Sequence, residues 1–198
     1  MKRFFLAFLL GAILWPAGFA KADDIKTEQA IFAAGCFWCI EKDMEAVPGV
    51  IDVVSGYTGG TTKNPTYKDV TTQTTGHYEA VRVTYDPKKV SYARLMQVFW
   101  DNHDPFDPEG QFCDKGFSYR GAVFALNEAQ KRIAEDFIEA QRAKYQEKII
   151  TPVLDAREFY PAEEYHQNYY KKNPTRYKYY RWNCGRDQVL ENLKEQAE

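Results

Sequence analysis

Glu28-Gln29-Ala30-Ile31-Phe32-Ala33-Ala34-Gly35-Cys36-Phe37-Trp38-Cys39 decides how this chain is read. Glu28 to Ala34 is a short, largely apolar run closed by a glycine, the pattern of a buried strand. Cys36 to Ala46 then has helical character and is closed by Pro48-Gly49. A strand that ends in Gly and feeds a helix starting at Cys puts a thiol where backbone N–H groups converge. That end of a helix favours negative charge, so the pattern predicts a Cys36 thiolate with a depressed pKa. Cys39 follows at i+3 on the same helix face, within reach for a disulfide after modest adjustment.

Working outward, Val50 to Tyr57 reads as a second strand and Thr58 to Thr66 as turn, punctuated by Gly59-Gly60 and Asn64-Pro65. Tyr78 to Tyr85 alternates and predicts a half-buried strand. Ser91 caps a helix to about Asn102, and His103 to Gly116 is a loop. Ala122 to Leu126 is a strand, Asn127 caps a helix through about Lys144, and Ile149 to Leu154 is a further strand. A helix is expected from about Ala162 to Lys171, stopping before Asn173-Pro174, and a polar helix from Asp187 to Glu198. There is no internal repeat. Strands and helices alternate, so the chain reads as one α/β domain with long loops.

The 198 residues suffice to bury a core without metal or disulfide staples. With 44% hydrophobic and 27% charged residues, wholesale disorder is excluded. A net charge of -2 speaks against a general nucleic-acid binder. The first 22 residues have the form of a secretory leader: Lys2 and Arg3, an apolar run from Phe4 to Leu14, and the small-x-small Ala20-Lys21-Ala22. The run is short of the ~20 apolar residues of a membrane span, so cleavage after Ala22 is expected, leaving residues 23–198 as the functional domain with a C-terminal tail from about 175. Loss of three cations with that segment enlarges the acidic excess. The chain is thus expected to be exported and periplasmic, meeting a membrane only through an uncleaved leader. Its cysteines, Cys36, Cys39, Cys113 and Cys184, are free to form disulfides there.

Cys36-x-x-Cys39 after a strand suggests thiol–disulfide chemistry. Zinc is disfavoured, because Cys113 and Cys184 lack a second Cys-x-x-Cys spacing, and no metal site is expected. His77, His103 and His166 read as hydrogen-bonding residues, and His103-Asp104 as structural. Further motifs follow in order: Gly56-Tyr57-Thr58-Gly59-Gly60, Asn64-Pro65-Thr66-Tyr67, Gly76-His77-Tyr78-Glu79, and Gln111-Phe112-Cys113-Asp114-Lys115-Gly116 with Tyr119-Arg120. This ordered set resembles the type A peptide methionine sulfoxide reductase family, over about Ile31 to Pro174.

The resemblance implies a two-layer sandwich in which helices pack a mixed sheet with a ferredoxin-like core and an extended C-terminal segment. It implies reduction of the S epimer of methionine sulfoxide, free or in peptides, with thiols and without metal or organic cofactor. Electrons would come from a thioredoxin-like dithiol, and repair of oxidised exported proteins would be the role. Cys36 becomes the nucleophile, and Phe37 and Trp38 the apolar wall that receives the S-methyl group. Glu79, otherwise a solvated strand residue, becomes the acid that protonates the sulfoxide oxygen, which requires a raised pKa. Tyr67 and Tyr119 would hydrogen-bond that oxygen, and Asp114 would order the site. The family motif has Gly where this chain has Cys39. Cys39 is therefore expected to resolve oxidised Cys36, with Cys184 the other candidate and Cys113–Cys184 a structural or secondary pair.

Two other classes compete. A general thiol–disulfide oxidoreductase would use Cys36–Cys39 but has no need of Glu79, Tyr67 and Tyr119. A non-catalytic exported module with two disulfides would leave the helix-start cysteine unexplained.

Overall fold

Sequence order in the computed structural model, which describes residues 26–197, begins with β1 (Glu28–Ala34), α1 (Phe37–Glu45), β2 (Val50–Thr58), α2 (Tyr67–Thr71) and β3 (Tyr78–Tyr85). It continues with α3 (Tyr92–Trp100), the short strands β4 (Gly110–Gln111) and β5 (Asp114–Lys115), β6 (Gly121–Ala125) and α4 (Glu128–Arg142). β7 (Val153–Asp155), β8 (Tyr160–Pro161), α5 (Tyr169–Lys172), α6 (Pro174–Asn183) and α7 (Arg186–Gln196) complete it. The expected leader lies outside the described residues.

Six strands form one sheet in the order β7-β6-β1-β3-β2-β8. β1 pairs antiparallel with β3 and β6, and β3 pairs antiparallel with β2. The inner four are a ferredoxin-like βαββαβ arrangement, with α1 and α3 as its crossover helices. β7 adds in parallel at one edge and β8 antiparallel at the other, which makes the sheet mixed. β4 and β5 form a separate ribbon.

The main core lies between the sheet and α1, α3 and α4. Phe32 stacks on Phe99 at 5.2 Å, and Ile40, Met44, Leu95 and Met96 are closed from solvent around them. Ser91 and Asn127 cap α3 and α4 as expected, each side chain accepting an N–H three residues on. The opposite face of the sheet is also covered. Ile31, Tyr78, Ala80 and Phe124 pack there under Phe117, Leu154 and Phe159. β3 is therefore buried on both faces along Tyr78 to Val81, rather than half-buried.

The largest departure from the expected elements lies between 162 and 172. Helix forms only over Tyr169–Lys172, and the preceding turn is tied down by long-range bonds. Gln167 donates to Ser55 O and accepts from Ser55 N–H, and Asn168 N–H donates to Glu41 Oε1. The C-terminal segment is helical in α6 and α7. α2 follows the expected turn, in a stretch for which the sequence predicted no element. Its start is a capping box, in which Thr66 Oγ1 accepts from Asp69 N–H and Asp69 accepts from Thr66 N–H.

Candidate active site

Gly35 turns β1 into α1 with a φ of +81°. A Cβ here would lie 2.6 Å from Gln111 Cβ, so both the backbone and the packing require glycine. Cys36 is then the N-cap of α1 and makes no side-chain capping bond. The first helical N–H, on Phe37, is taken instead by Glu79, whose Oε2 accepts it at 3.1 Å. β3 thus delivers a carboxyl directly to the start of the cysteine helix.

Cys36, Cys39 and Glu79 are 6%, 1% and 2% exposed, and both cysteines are free thiols. Burial pushes Glu79 up to about 8, against the Phe37 N–H bond and with help from the charges of Asp114 and Cys39. Its Oε2 accepts that N–H, which leaves Oε1 free to hold a proton. Glu79 is an uncharged acid at neutral pH. This is the raised pKa expected of it, reached by burial rather than on a solvated strand face.

The thiols behave differently from expectation. Burial raises Cys36 well above the usual cysteine value, and Cys39, Glu79 and Asp114 add to the rise. The helix N-terminus does not outweigh this, because its leading N–H points at Glu79 and the sulfur is out of water. Cys39 is drawn down to about 7 by the hydrogen bond from the Cys36 thiol, against its own burial, with the Arg186 and Arg181 cations assisting. The two sulfurs form one unit that loses its first proton near neutrality and resists losing a second.

Phe37 is 1% exposed and packs on Tyr57 and His166, so of the expected apolar wall only Trp38 keeps an open surface. Trp38 stacks on Tyr169 at 3.7 Å, meets Tyr180 edge-on at 5.8 Å, and donates its indole N–H to His166 Nδ1 at 3.0 Å. That bond leaves the His166 proton on Nε2, which has no partner among the described residues. Tyr67 and Tyr119 come together at Glu79, and burial raises both phenols. Glu163 holds this side, accepting from Tyr67 N–H at 2.8 Å and from the Tyr57 hydroxyl at 2.9 Å. Asp114 accepts from the Tyr180 hydroxyl, and so reaches Trp38 through an aromatic neighbour.

Cys113 and Cys184 are disulfide-bonded, tying the β4–β5 ribbon to the end of α6, with Cys113 exposed. Cys184 Sγ lies 4.0 Å from Asp114 Oδ2. The remaining histidines hold loops. His103 is kept neutral, down to about 3, by burial, and bridges Phe99 O and Thr151 Oγ1. His77 links Gly60 N–H and Thr62 O. Glu163 and Arg186 were not singled out from the sequence, and His166 was read only as a hydrogen-bonding residue. The aromatic density of the tail was the only signal for Tyr180.

A buried dithiol beside an uncharged acid is the equipment of a thiol oxidoreductase. The chain belongs to the peptide methionine sulfoxide reductase family, type A, whose family description (peptide methionine sulfoxide reductase) matches residues 28–198. It is 50% identical over 194 residues to peptide methionine sulfoxide reductase MsrA 2 of Caulobacter vibrioides, covering 98% of each chain. Among solved structures, Mxr1 of Saccharomyces cerevisiae in reduced form is similar with a TM-score of 0.72 and 33% identity, over 78% of this chain and 90% of that one. Mxr1 in complex with Trx2 matches with a TM-score of 0.53 and 25% identity, over 77% and 91%. The protein is an enzyme that reduces methionine sulfoxide by cysteine chemistry, which sets aside general disulfide exchange and the non-catalytic module.

Proposed function

We propose that the enzyme reduces the S epimer of methionine sulfoxide in peptides, with Cys36 as nucleophile and Glu79 as proton donor. The observation that carries this is the Phe37 N–H bond to Glu79, which joins a protonated, buried carboxyl to the first turn of the cysteine helix. Cys36 is the sulfur on the substrate side, next to Tyr67 and Glu79, whereas Cys39 is turned toward Tyr169 and Tyr177.

A sulfoxide is a poor electrophile until its oxygen is protonated. Glu79 Oε1–H supplies that proton, with the Tyr67 and Tyr119 hydroxyls as hydrogen-bond donors to the same oxygen. Trp38 offers an apolar surface to the S-methyl group. The Cys36 sulfur attacks the sulfoxide sulfur, a sulfur–sulfur bond forms, and the oxygen leaves as water carrying the Glu79 proton and the thiol's own. Water then attacks the Cys36 sulfur, breaking that sulfur–sulfur bond, so that Cys36 becomes a sulfenic acid, methionine leaves and Glu79 regains its proton, two electrons having passed from cysteine sulfur to substrate. The Cys39 sulfur then attacks the sulfenic acid, water leaves, and a Cys36–Cys39 disulfide forms. This step needs little motion, because the two sulfurs are already neighbours. Asp114 orders the pocket through Tyr180.

A thioredoxin-like dithiol would return the enzyme to its reduced state, as the solved complex of the yeast relative with Trx2 suggests by analogy. The leader-like first 22 residues and the Cys113–Cys184 disulfide support an exported, periplasmic enzyme that repairs exported proteins. The test is incubation of the reduced protein with each epimer of a blocked methionine sulfoxide and dithiothreitol, beside Cys36→Ser. Methionine from the S epimer alone, lost in the variant, supports the reading. Product from the R epimer, or an active variant, contradicts it.

A further inference from the structure

Arg186 is 2% exposed and heads α7, two residues after Cys184. Its Nη1 donates to Ala34 O at 3.1 Å and its Nη2 to Asn102 O, while Nε has no partner. The guanidinium stands 4.5 Å over the Phe112 ring. Among the described residues no carboxylate forms an ion pair with it. Arg181, one turn earlier, is by contrast paired with both Asp43 and Asp187. A buried cation bound only to carbonyls is costly unless the site supplies negative charge of its own.

The turn that carries the dithiol begins directly after Ala34, and Arg186 is one of the cations that draw Cys39 down. Nη1 is 3.8 Å from the point where a side chain on Gly35 would begin, at the turn that carries Cys36. We infer that Arg186 is the counter-cation of the Cys36–Cys39 dithiol, a positioning residue seated by the Cys113–Cys184 disulfide that favours the thiolate form. The seat is built from both sides of that disulfide. Phe112, adjacent to Cys113 and held at a φ of +55°, lays its ring on the guanidinium. Gly185, adjacent to Cys184 and at a φ of +68°, lets the chain turn inward.

The other charged and titratable groups around the dithiol do not supply this. Glu79 from β3 and Asp114 from β5 oppose a thiolate. Tyr177 and Tyr180 from α6 are phenols that burial keeps protonated. Arg181 also draws Cys39 down but is ion-paired with Asp43 and Asp187, whereas Arg186 feels Asp114 and Asp187 only through space and makes no ion pair among the described residues.

The inference rests on the proposed thiol chemistry, so its test reads thiolate directly and needs no sulfoxide. Arg186→Gln keeps an N–H donor, Arg186→Met keeps the length, and Arg186→Lys keeps the charge. Iodoacetamide alkylation of the free thiols is followed against pH in the protein carrying the Cys113–Cys184 disulfide, with the Cys36 and Cys39 peptides quantified by mass spectrometry. Circular dichroism reports the fold. The ionisation limb is expected to move up by about one pH unit in Gln and Met, slowing alkylation at pH 7 by roughly fivefold, and to stay within a few tenths in Lys. An unmoved limb in a folded neutral variant overturns the inference, as does a Lys variant shifted as far as Gln. If neither neutral variant folds, a Lys limb within a few tenths of wild type supports the inference and one displaced by about one pH unit overturns it.

Discussion

Replacing Glu79 by Gln separates the two properties that burial gives this carboxyl. Gln keeps the shape and accepts the Phe37 N–H as Glu79 Oε2 does, but has no proton to give. General-acid assistance is worth roughly 100- to 10,000-fold, so single-turnover formation of methionine should slow by about that factor. Stability should move the other way. Glu79 rises from its usual 4.5 to about 8 in the folded protein, so the native state binds more protons than the unfolded chain between these values. The fold therefore loses stability as pH climbs through that window, and the loss is absent below the lower value. At about 1.4 kcal/mol per pH unit, the wild type forfeits about 3 kcal/mol by pH 7. Glu79→Gln escapes that loss. Urea unfolding at pH 4, 7 and 9 should show the variant equal to wild type at the lowest pH and increasingly more stable above it. Quenched-flow reduction of S-methionine sulfoxide gives the rate. A variant within threefold of wild type would refute the proton-donor role. One with no stability gain at pH 9 would refute the burial argument.

Cys39→Ser should still convert one equivalent of sulfoxide but accumulate Cys36 sulfenic acid, which dimedone labelling followed by mass spectrometry detects. Accumulation in Cys184→Ser alone would instead assign resolution to the tail. Tyr67→Phe and Tyr119→Phe should each slow the chemical step by about 10-fold or more, and the double variant by less than the product, because the two phenols act on one oxygen. Replacing Cys113 and Cys184 by Ser opens a link across 71 residues, and chemical denaturation should show a loss of roughly 2–4 kcal/mol.

The inner strands, α1, α3 and α4 were legible because each carries a local signal. β2 is rich in β-branched residues, and Ser91 and Asn127 cap at the expected places. Gly35 announced the turn before Cys36. Glu79 shows where local reading ends. Period-2 alternation sets it opposite Ala80, but only the segment around Tyr67, Tyr119 and α1 makes its side of β3 dry. The same holds for the Cys36 thiol, whose helix position argues for a low pKa and whose burial reverses it. Residues 162–168 form a turn rather than a helix, with His166 N–H donating to Glu163 O. Glu163, Gln167 and Asn168 bond to residues about 100 positions away, which no periodicity reveals. α2 was missed because it is five residues long, although Thr66 and Asp69 have capping-box spacing.

The central claim is that Cys36 is the sulfur oxidised to a sulfenic acid. Reduced Cys39→Ser protein mixed with one equivalent of the S epimer, then trapped with dimedone and mapped by mass spectrometry, tests it directly. The account predicts a sulfenic acid adduct on Cys36 and one equivalent of methionine. Methionine formed while Cys36 remains an unmodified thiol, with the adduct on Cys113 or Cys184, would contradict it.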